Sequence, residues 1–290
     1  MEKKETTKSL SRRLYAGECT SILESTRVSD KYELNRLRQV CTLNVAASPD
    51  DQIEKVCPNV WVLADQTRCG GTKGRFLANL LNQEPYKRYM EYVYVTEFPG
   101  GAQIALAQAA LHLQKHATLF LPSGADKPNP TIARELGATI KIEADDPWKA
   151  AQLYVQGSQQ RVLLPNGLAI QGMHEALVEC ASKLAKKHGT FDQVWCAVGS
   201  GHLLRALAET DLGKEYHGVA VTGGIPEHIQ KLSRINEHVK VVQHPLKWTE
   251  LVQPNQAPPF DSALYYDAKV WSAVVSAARS PVRILFWNVM

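Results

Sequence analysis

The sequence predicts an α/β protein made of two three-layer αβα domains with mainly parallel sheets. From about residue 89 onward, short runs of β-branched and aromatic residues alternate with helical patterns, which is typical of parallel βα units. The chain has 290 residues, of which 44% are hydrophobic and 21% charged, so it can bury two modest cores. We expect a small domain at residues 87–165 and a large domain at 1–86 and 166–290, with 1–60 as an extension of uncertain role.

The individual elements follow from two periodicities. Clusters of β-branched and aromatic residues predict strands at 60–64, 91–96, 117–121, 139–142, 161–164, 193–198, 219–221, 239–242 and 283–287. Apolar residues at helical spacing predict helices at 76–81, 102–114, 130–136, 147–156, 170–187 and 203–209, with one more near the C-terminus. Asp145 and Asp146 before Pro147 are typical of a capped helix start. Helices between consecutive strands cover both faces of a sheet, which gives the three-layer arrangement.

A lysine bounded by glycines lies between the first predicted strand and the first predicted helix, in the sequence CGGTKGR at residues 69–75. An amine at the head of a helix and inside an apolar pocket is favoured in its neutral form. The neutral amine is the form that adds to an aldehyde to make a Schiff base. Lys73 is therefore a candidate covalent anchor for an aldehyde cofactor, with a solvated lysine in a turn as the alternative.

A second glycine turn, VGSGHL at residues 198–203, follows the predicted strand 193–198 and opens the next helix. Backbone N–H groups in such a turn bind anions, and Ser200 and His202 add side-chain donors. The pattern is neither G-x-G-x-x-G nor a Walker sequence, so it does not predict dinucleotide or nucleoside-triphosphate binding. It predicts a phosphate site, with a tight turn that simply requires glycine as the alternative.

Two further segments place polar groups beside predicted helices. The loop EFPGGAQ at 97–103 joins a strand to a helix, and its N–H groups are candidates for binding a carboxylate. The segment YYDAKVW at 265–271 precedes the C-terminal helix, where Asp267 is also a candidate N-cap. With the two glycine turns, these segments make four candidate positions for chemistry.

Composition and charge exclude several classes of protein. The net charge of +4 is too small for the overall footprint of a nucleic-acid binder, but Lys3, Lys4, Arg12 and Arg13 form a basic arm capable of contacting DNA phosphates. No apolar run is long enough to span a membrane, and the first residues are too polar for a signal peptide, so we expect a cytoplasmic protein. The six cysteines show no metal-ligand spacing, so we expect reduced thiols and no metal site.

In order and spacing, the four segments resemble those of fold-type II pyridoxal-phosphate enzymes, the tryptophan synthase β-like family. The nearest branch contains aminocyclopropane-carboxylate deaminase and D-cysteine desulfhydrase. Its G-G-N-K-x-R, T-G-S-G-G-T and Y-E-G-K segments correspond to residues 70–75, 198–203 and 266–269, and its V-L-F-W-H strand is similar to ILFWN at 284–288. The resemblance covers about residue 61 to the end. It implies a tryptophan synthase β-like fold, pyridoxal 5′-phosphate as cofactor, bound by the large domain, and a homodimer.

The resemblance also implies roles for individual residues. Lys73 and Tyr266 become the candidate catalytic residues. The candidate cofactor-binding residues are Lys73, Gly199, Ser200, Gly201, His202, Leu203 and Asp267, the last of which faces the pyridine nitrogen in this interpretation. The candidate substrate-binding residues are Gly100, Gly101, Ala102 and Gln103.

The loop at 100–102 departs from the Q-S-N-H pattern of the branch, because it lacks the serine and asparagine side chains. Ring opening of a cyclopropane amino acid depends on that loop, whereas loss of carbon dioxide requires no base for a Cα proton. The sequence therefore favours a lyase acting at Cα, with decarboxylation ahead of deamination or desulfhydration of a free small amino acid. A non-catalytic binding protein on the same fold is a further alternative.

The predicted substrate rests on a likeness of role and not on a motif. A pyridoxal-phosphate lyase with a basic arm resembles phage enzymes that decarboxylate an amino acid attached to modified thymidine in DNA. Small residues at 100–102 leave room for such an attachment, and the basic arm would meet backbone phosphates of the DNA.

Overall fold

The computed structural model describes residues 22–43, 53–96, 100–123 and 128–290. In chain order the strands are β1 (Ile53–Cys57), β2 (Val60–Ala64), β3 (Glu91–Val95), β4 (His116–Pro122), β5 (Thr139–Glu143), β6 (Arg161–Leu163), β7 (Phe191–Val198), β8 (Gly213–Ala220), β9 (Val239–Gln243) and β10 (Ile284–Asn288). The helices are α1 (Ile22–Leu43), α2 (Gly71–Gly74), α3 (Leu77–Leu81), α4 (Gly101–His112), α5 (Pro128–Glu135), α6 (Pro147–Gln156), α7 (Met173–His188), α8 (His202–Leu207), α9 (Glu227–Ile235) and α10 (Ala268–Ala277). Within these residues, every helix is too short or too polar to cross a membrane.

The larger sheet contains six of the described strands, in the order β1-β2-β10-β7-β8-β9. Five of them run parallel, and β1 pairs antiparallel with β2 at one edge. Strand β10 lies at the centre, since Ile284 is opposite both Val60 of β2 and Gln193 of β7. This order brings the segments that follow β2, β7, β8 and β10 to one edge of the sheet.

Both faces of the larger sheet are covered, as a three-layer arrangement requires. Every residue of β10 is buried, because Leu285 and Trp287 pack into one apolar cluster and Ile284 and Phe286 into another. Alternate residues of a strand point to opposite faces, so an unbroken apolar run marks a strand that is covered on both sides. Helices α7, α8 and α9 contribute to the first cluster and α10 to the second.

The smaller sheet contains four described strands in the order β5-β4-β3-β6, all parallel. Helix α4 packs on one face, and α6 packs on the other, where Ala151 lies in a cluster with Val93, Val95 and Phe120. The mainly parallel, three-layer α/β prediction is therefore confirmed. All four strands lie within 87–165, and the domain boundaries themselves stay a prediction.

Four elements, α1, α2, β1 and α9, lie outside the sequence prediction. Strand β1 is an edge strand in which Glu54 and Lys55 are exposed, so it lacks the apolar cluster that marks the other strands. Strand β8 begins at Gly213, well before the predicted start at 219, because its first three residues are incompletely buried and read as polar. Asp146 caps α6 as predicted, by accepting a hydrogen bond from the Lys149 backbone N–H at 3.0 Å.

Helix α1 is held to the rest of the protein by packing and by a disulfide. Leu37 belongs to a small buried cluster with residues of α4 and α5, and Arg38 donates to the Glu135 carboxylate at 3.0 Å. Cys41 is bonded to Cys69, so the prediction of reduced thiols is wrong for these two cysteines. They lie 28 positions apart, and their pairing depends on how α1 packs, which no local spacing encodes. Among the described residues, Cys57, Cys180 and Cys196 are not part of a disulfide.

Candidate active site

A cavity of about 560 Å³ lies where the carboxyl ends of the parallel strands from both sheets meet. This is the place where open α/β sheets bind ligands, because loops of several strands converge there. Its lining segments each follow one strand: Lys73 after β2, Thr96 and Gly100 after β3, Asn166 and Gly167 after β6, Gly199 and Ser200 after β7, Thr222 to Gly224 after β8, and Val289 with Met290 after β10. All four predicted segments are therefore brought to one site, since Tyr266 of the segment at 265–271 also lines the cavity.

Lys73 lies in the short helix α2 and lines the cavity. Burial lowers the pKa of its amine, and the negative charge of Asp267 opposes that shift. The preceding turn depends on glycine, since Gly70 and Gly71 have φ of +76° and +62°. A Cβ on Gly70 would lie 2.4 Å from the Cα of Ala105. The predicted lysine therefore has the tight turn and the shifted amine that a carbonyl-binding residue needs.

Asp65 holds this turn in place through side-chain contacts. It is not among the site residues that the sequence predicts. Its fully buried carboxylate accepts hydrogen bonds from the Thr72 hydroxyl at 2.7 Å and the Trp287 indole at 2.9 Å, and it pairs with Arg75. Burying a carboxylate costs folding free energy unless it is paired and hydrogen-bonded. Asp65 is therefore stable in this position only while the Thr72, Trp287 and Arg75 contacts are made. The available sequence signal was an acid directly after the apolar strand β2.

The turn at 199–201 presents donors to the same cavity. The His202 Nδ1 and Ser200 Oγ atoms are 3.0 Å apart, and both side chains line the cavity with Gly199. Helix α8 has only six residues, so its dipole is small and these side chains matter more than the helix. Gly201 and Leu203 lie beside a smaller adjoining cavity instead.

Tyr266 lies at the cavity surface, whereas its neighbour Asp267 lies outside the cavity lining. Tyr266 lines the cavity, and its hydroxyl accepts a hydrogen bond from the Gly199 N–H. Burial raises the pKa of this hydroxyl, so the side chain is neutral. Asp267 is fully buried away from the cavity lining, and its two oxygens accept hydrogen bonds from the backbone N–H groups of Val289 at 3.1 Å and Met290 at 2.8 Å. Burial raises the pKa of Asp267 to about 7.

The predicted substrate loop is brought to the cavity in part. Gly100, Gly101 and Ala102 line it, whereas Gln103 is buried in α4 with 2% exposure and lies outside the lining. Residues 97–99 of this segment lie outside the described residues. The basic arm of Lys3, Lys4, Arg12 and Arg13 also lies outside them.

Five polar side chains of the cavity lie outside the sequence prediction: Tyr94, Thr96, Asn166, Thr222 and His228. Tyr94 lies in β3, its hydroxyl accepts a hydrogen bond from the Gly167 N–H at 3.2 Å, and burial raises its pKa to about 12. His228 lies in α9, with its ring centroid 6.0 Å from that of His202. Residues 222–224 were accessible to sequence reasoning, because they follow the predicted strand 219–221 and ligand sites lie at the carboxyl ends of such strands.

Comparison with solved structures decides the fold. A homologue of ACC deaminase superposes with a TM-score of 0.64 at 16% identity, over 79% of this chain and 83% of that chain. The chain has the tryptophan synthase β-like fold. A hydrogen sulfide-producing enzyme from Fusobacterium nucleatum gives a TM-score of 0.60 at 13% identity, over 86% of this chain and 96% of that one.

Diaminopropionate ammonia lyase from Escherichia coli also gives a TM-score of 0.60, at 14% identity, over 89% of this chain and 87% of that chain. No protein-family model and no curated protein sequence matches the chain. The tryptophan synthase β-like fold predicted from the four segments is confirmed by the structural matches, which at these identities concern the fold alone.

Proposed function

We propose that the protein is a pyridoxal-5′-phosphate-dependent lyase that acts at the Cα atom of an amino-acid group. The observation that carries the proposal is the presence of Lys73, with its lowered amine pKa, in the same cavity as the Ser200 and His202 donors. A lowered pKa favours the neutral amine that bonds to an aldehyde carbon. When bound, the cofactor withdraws electrons from Cα and stabilises the negative charge that develops there.

The residues present fit this cofactor. Lys73 would bond to its aldehyde carbon, and the turn at 199–201 with Ser200 and His202 would hold its phosphate. The residues around the turn at 199–201 are close-packed. A Cβ on Gly167 would lie 2.6 Å from the Ser200 hydroxyl, and one on Gly199 would lie 2.5 Å from the Tyr266 hydroxyl. Tyr266 would orient the Gly199 N–H, and Asp267 would stabilise positive charge near Lys73.

Elimination with release of ammonia or sulfide is the better-supported reaction at Cα. The solved structures with the same fold include proteins described as deaminases, an ammonia lyase and a hydrogen sulfide-producing enzyme. Elimination requires removal of the Cα proton. Lys73 is the candidate base for this step, because its lowered pKa raises the fraction of neutral amine at neutral pH.

Decarboxylation of a substrate with a bulky attachment is the second candidate. It is favoured by the substrate side of the cavity, where Gly100, Gly101 and Ala102 bring no hydroxyl or amide side chain. A Cβ on Gly100 would meet no described atom within 4 Å, and neither would one on Gly223 or Gly224, so the cavity has spare room at these positions. An amino acid attached to DNA, as the basic arm favours, would use that room.

The absorption spectrum of the purified protein with added cofactor tests the proposal. We expect an imine band that borohydride abolishes, with a covalent mass increase mapped to Lys73, and no such label in Lys73→Ala. Lys183→Ala, which changes an exposed lysine paired with Glu179, is the matched control and should label normally. A wild-type protein that takes up no cofactor would instead favour a non-catalytic binding protein.

Product analysis separates the two reactions. With candidate amino acids, free or attached to modified thymidine in DNA, we would measure carbon dioxide, ammonia and sulfide together. Ammonia or sulfide with a keto acid would establish elimination, and carbon dioxide with a retained amine would establish decarboxylation.

A further inference from the structure

The phosphate side of the cavity contains two imidazoles that face each other. His202 lies at the start of α8 and His228 in α9, and their ring centroids are 6.0 Å apart with planes tilted by 34°. Both line the 560 Å³ cavity with Lys73. His228 also lies against the glycine turn, since its Nε2 is 3.1 Å from the position of a Cβ on Gly201. The pair therefore borders the same space as Ser200.

The ring of His202 is fixed in one orientation. Its Nδ1 is engaged with the Ser200 hydroxyl at 3.0 Å, which leaves Nε2 as the atom that can face a ligand. Gly167 closes the other side, because a Cβ there would lie 3.1 Å from Nδ1 and 2.6 Å from the Ser200 hydroxyl. His202 is thus held where a bound anion would meet it, whereas His228 is exposed at the cavity mouth.

The charges around His202 have one sign. The titratable groups that face it are Lys73 of α2, His174 of α7, Arg205 of α8 and His228 of α9. Glu209, the nearby acid, is paired with His174 at 2.9 Å. Burial first, and then the electrostatic effect of these groups, with that of Lys73 the largest, lowers the pKa of His202 to about 4, so the ring is neutral at neutral pH in the ligand-free protein. Among the described groups that shift the pKa of His202, none is acidic, so an anion that enters the cavity would supply the negative partner of a protonated ring.

We propose that His202 and His228 form the protonatable part of the phosphate site, so that the cofactor's phosphate binds together with a proton on His202. This inference rests on the proposed function. A phosphate dianion supplies the negative charge that His202 otherwise lacks, and the proton comes from solvent. His228, whose side chain is exposed, contributes a second positive or hydrogen-bonding group from helix α9. Cofactor affinity then rises as the pH falls, because the complex holds more protons than its separate components.

Nuclear magnetic resonance of the histidine rings tests this directly. Protein labelled at the imidazole carbons is titrated with pH, first alone and then saturated with pyridoxal 5′-phosphate, in the wild type and in Lys73→Ala. We expect the His202 pKa to rise by about three, a thousandfold gain in proton affinity, in both proteins, because the ring of the complex must be protonated at about pH 6 for the affinity to change there. His174, paired with Glu209, is the internal control and should move much less. Sulfate, a dianion over this whole pH range, serves as a second probe that cannot react with Lys73.

The variants His202→Asn and His228→Asn complete the test, with His174→Asn as the matched control. Both should bind the cofactor at about pH 8, and both should lose affinity relative to wild type at about pH 6, whereas the control should follow wild type. Cofactor that binds while the His202 titration does not move would overturn this inference and leave the proposed function standing. No cofactor binding at any pH, in wild type, would overturn both.

Discussion

At the scale of single residues, the Asp65 carboxylate determines where Lys73 lies. It holds Thr72, the neighbour of Lys73, together with Trp287 of the central strand and Arg75 at the end of the turn. These contacts link β2, α2 and β10 through one buried charge. The turn that carries Lys73 is therefore fixed by a residue that lies outside the cavity lining.

Replacing this carboxylate should disturb both stability and the lysine. We expect Asp65→Ala to lose about 3–5 kcal/mol of unfolding free energy, because it removes the acceptor of the buried Thr72 and Trp287 donors and one member of the ion pair with Arg75. Glu179→Ala, which removes an acid from an exposed pair, should cost less than about 1 kcal/mol. Urea unfolding measures both. Borohydride labelling of the folded Asp65→Ala protein should also fall, and equal stability of the two variants would refute the role of Asp65.

Asp267 should make stability depend on pH. Folding raises the pKa of its carboxyl from 3.8 to about 7, because burial outweighs the hydrogen bonds from Val289 and Met290. A carboxyl with a raised pKa stabilises the fold fully below its unfolded value, and this contribution is lost as the pH rises through about 7. Relative to Asp267→Asn, wild type should lose about 4 kcal/mol between about pH 4 and about pH 8, measured by urea unfolding. A constant difference would mean that the carboxyl stays ionised throughout.

At the scale of elements, the disulfide ties α1 to the turn that carries Lys73. Cys69 directly precedes Gly70, so the end of α1 is joined to the start of that turn. Without this bond, α1 is held mainly by the cluster around Leu37 and the exposed pair of Arg38 with Glu135. An exposed pair contributes little, so the tether should matter for how firmly α1 is docked.

Removing the tether should destabilise the protein without changing the fold. The loop of 28 residues predicts a loss of about 3–4 kcal/mol for Cys41→Ser, from the entropy gained by the unfolded chain. Cys57→Ser, which changes a free cysteine, should cost less than about 1 kcal/mol. Unfolding with and without reductant measures both effects, and wild type in reductant should match Cys41→Ser. A wild-type mass that is unchanged by reduction would contradict the bond.

At the scale of the whole molecule, the βα alternation was enough to predict two mainly parallel sheets, because strands covered on both faces carry apolar runs such as ILFWN. It was not enough for β1 or α1, whose positions come from an edge pairing and from long-range packing. In the site, Lys73 and Ser200 lie in glycine turns with a local signature. Tyr94 and His228 have none, and only the meeting of distant strand ends makes them part of the cavity. Asp65 lies outside the cavity lining, and its role comes from contacts with Thr72 and Trp287 that only the folded chain brings together.

That convergence leads to a prediction about the whole molecule. Segments from both sheets line the cavity, so a cofactor bound there contacts both and should stabilise them together. At a free concentration about a hundred times Kd, binding adds about 2.7 kcal/mol, which should raise Tm by roughly 5 °C. Differential scanning calorimetry measures the shift.

Matched ligands and variants identify which contacts of the cofactor cause the Tm shift. Pyridoxal, which lacks the phosphate, should raise Tm much less than pyridoxal 5′-phosphate at equal concentration, because it cannot contact Ser200 and His202. Lys73→Ala should keep the phosphate-dependent part of the shift and lose the part due to the covalent bond. Equal Tm shifts for the two ligands would place the bound cofactor away from the turn at 199–201. If the protein unfolds in two separate transitions and only one of them shifts, the cofactor stabilises one sheet and not both.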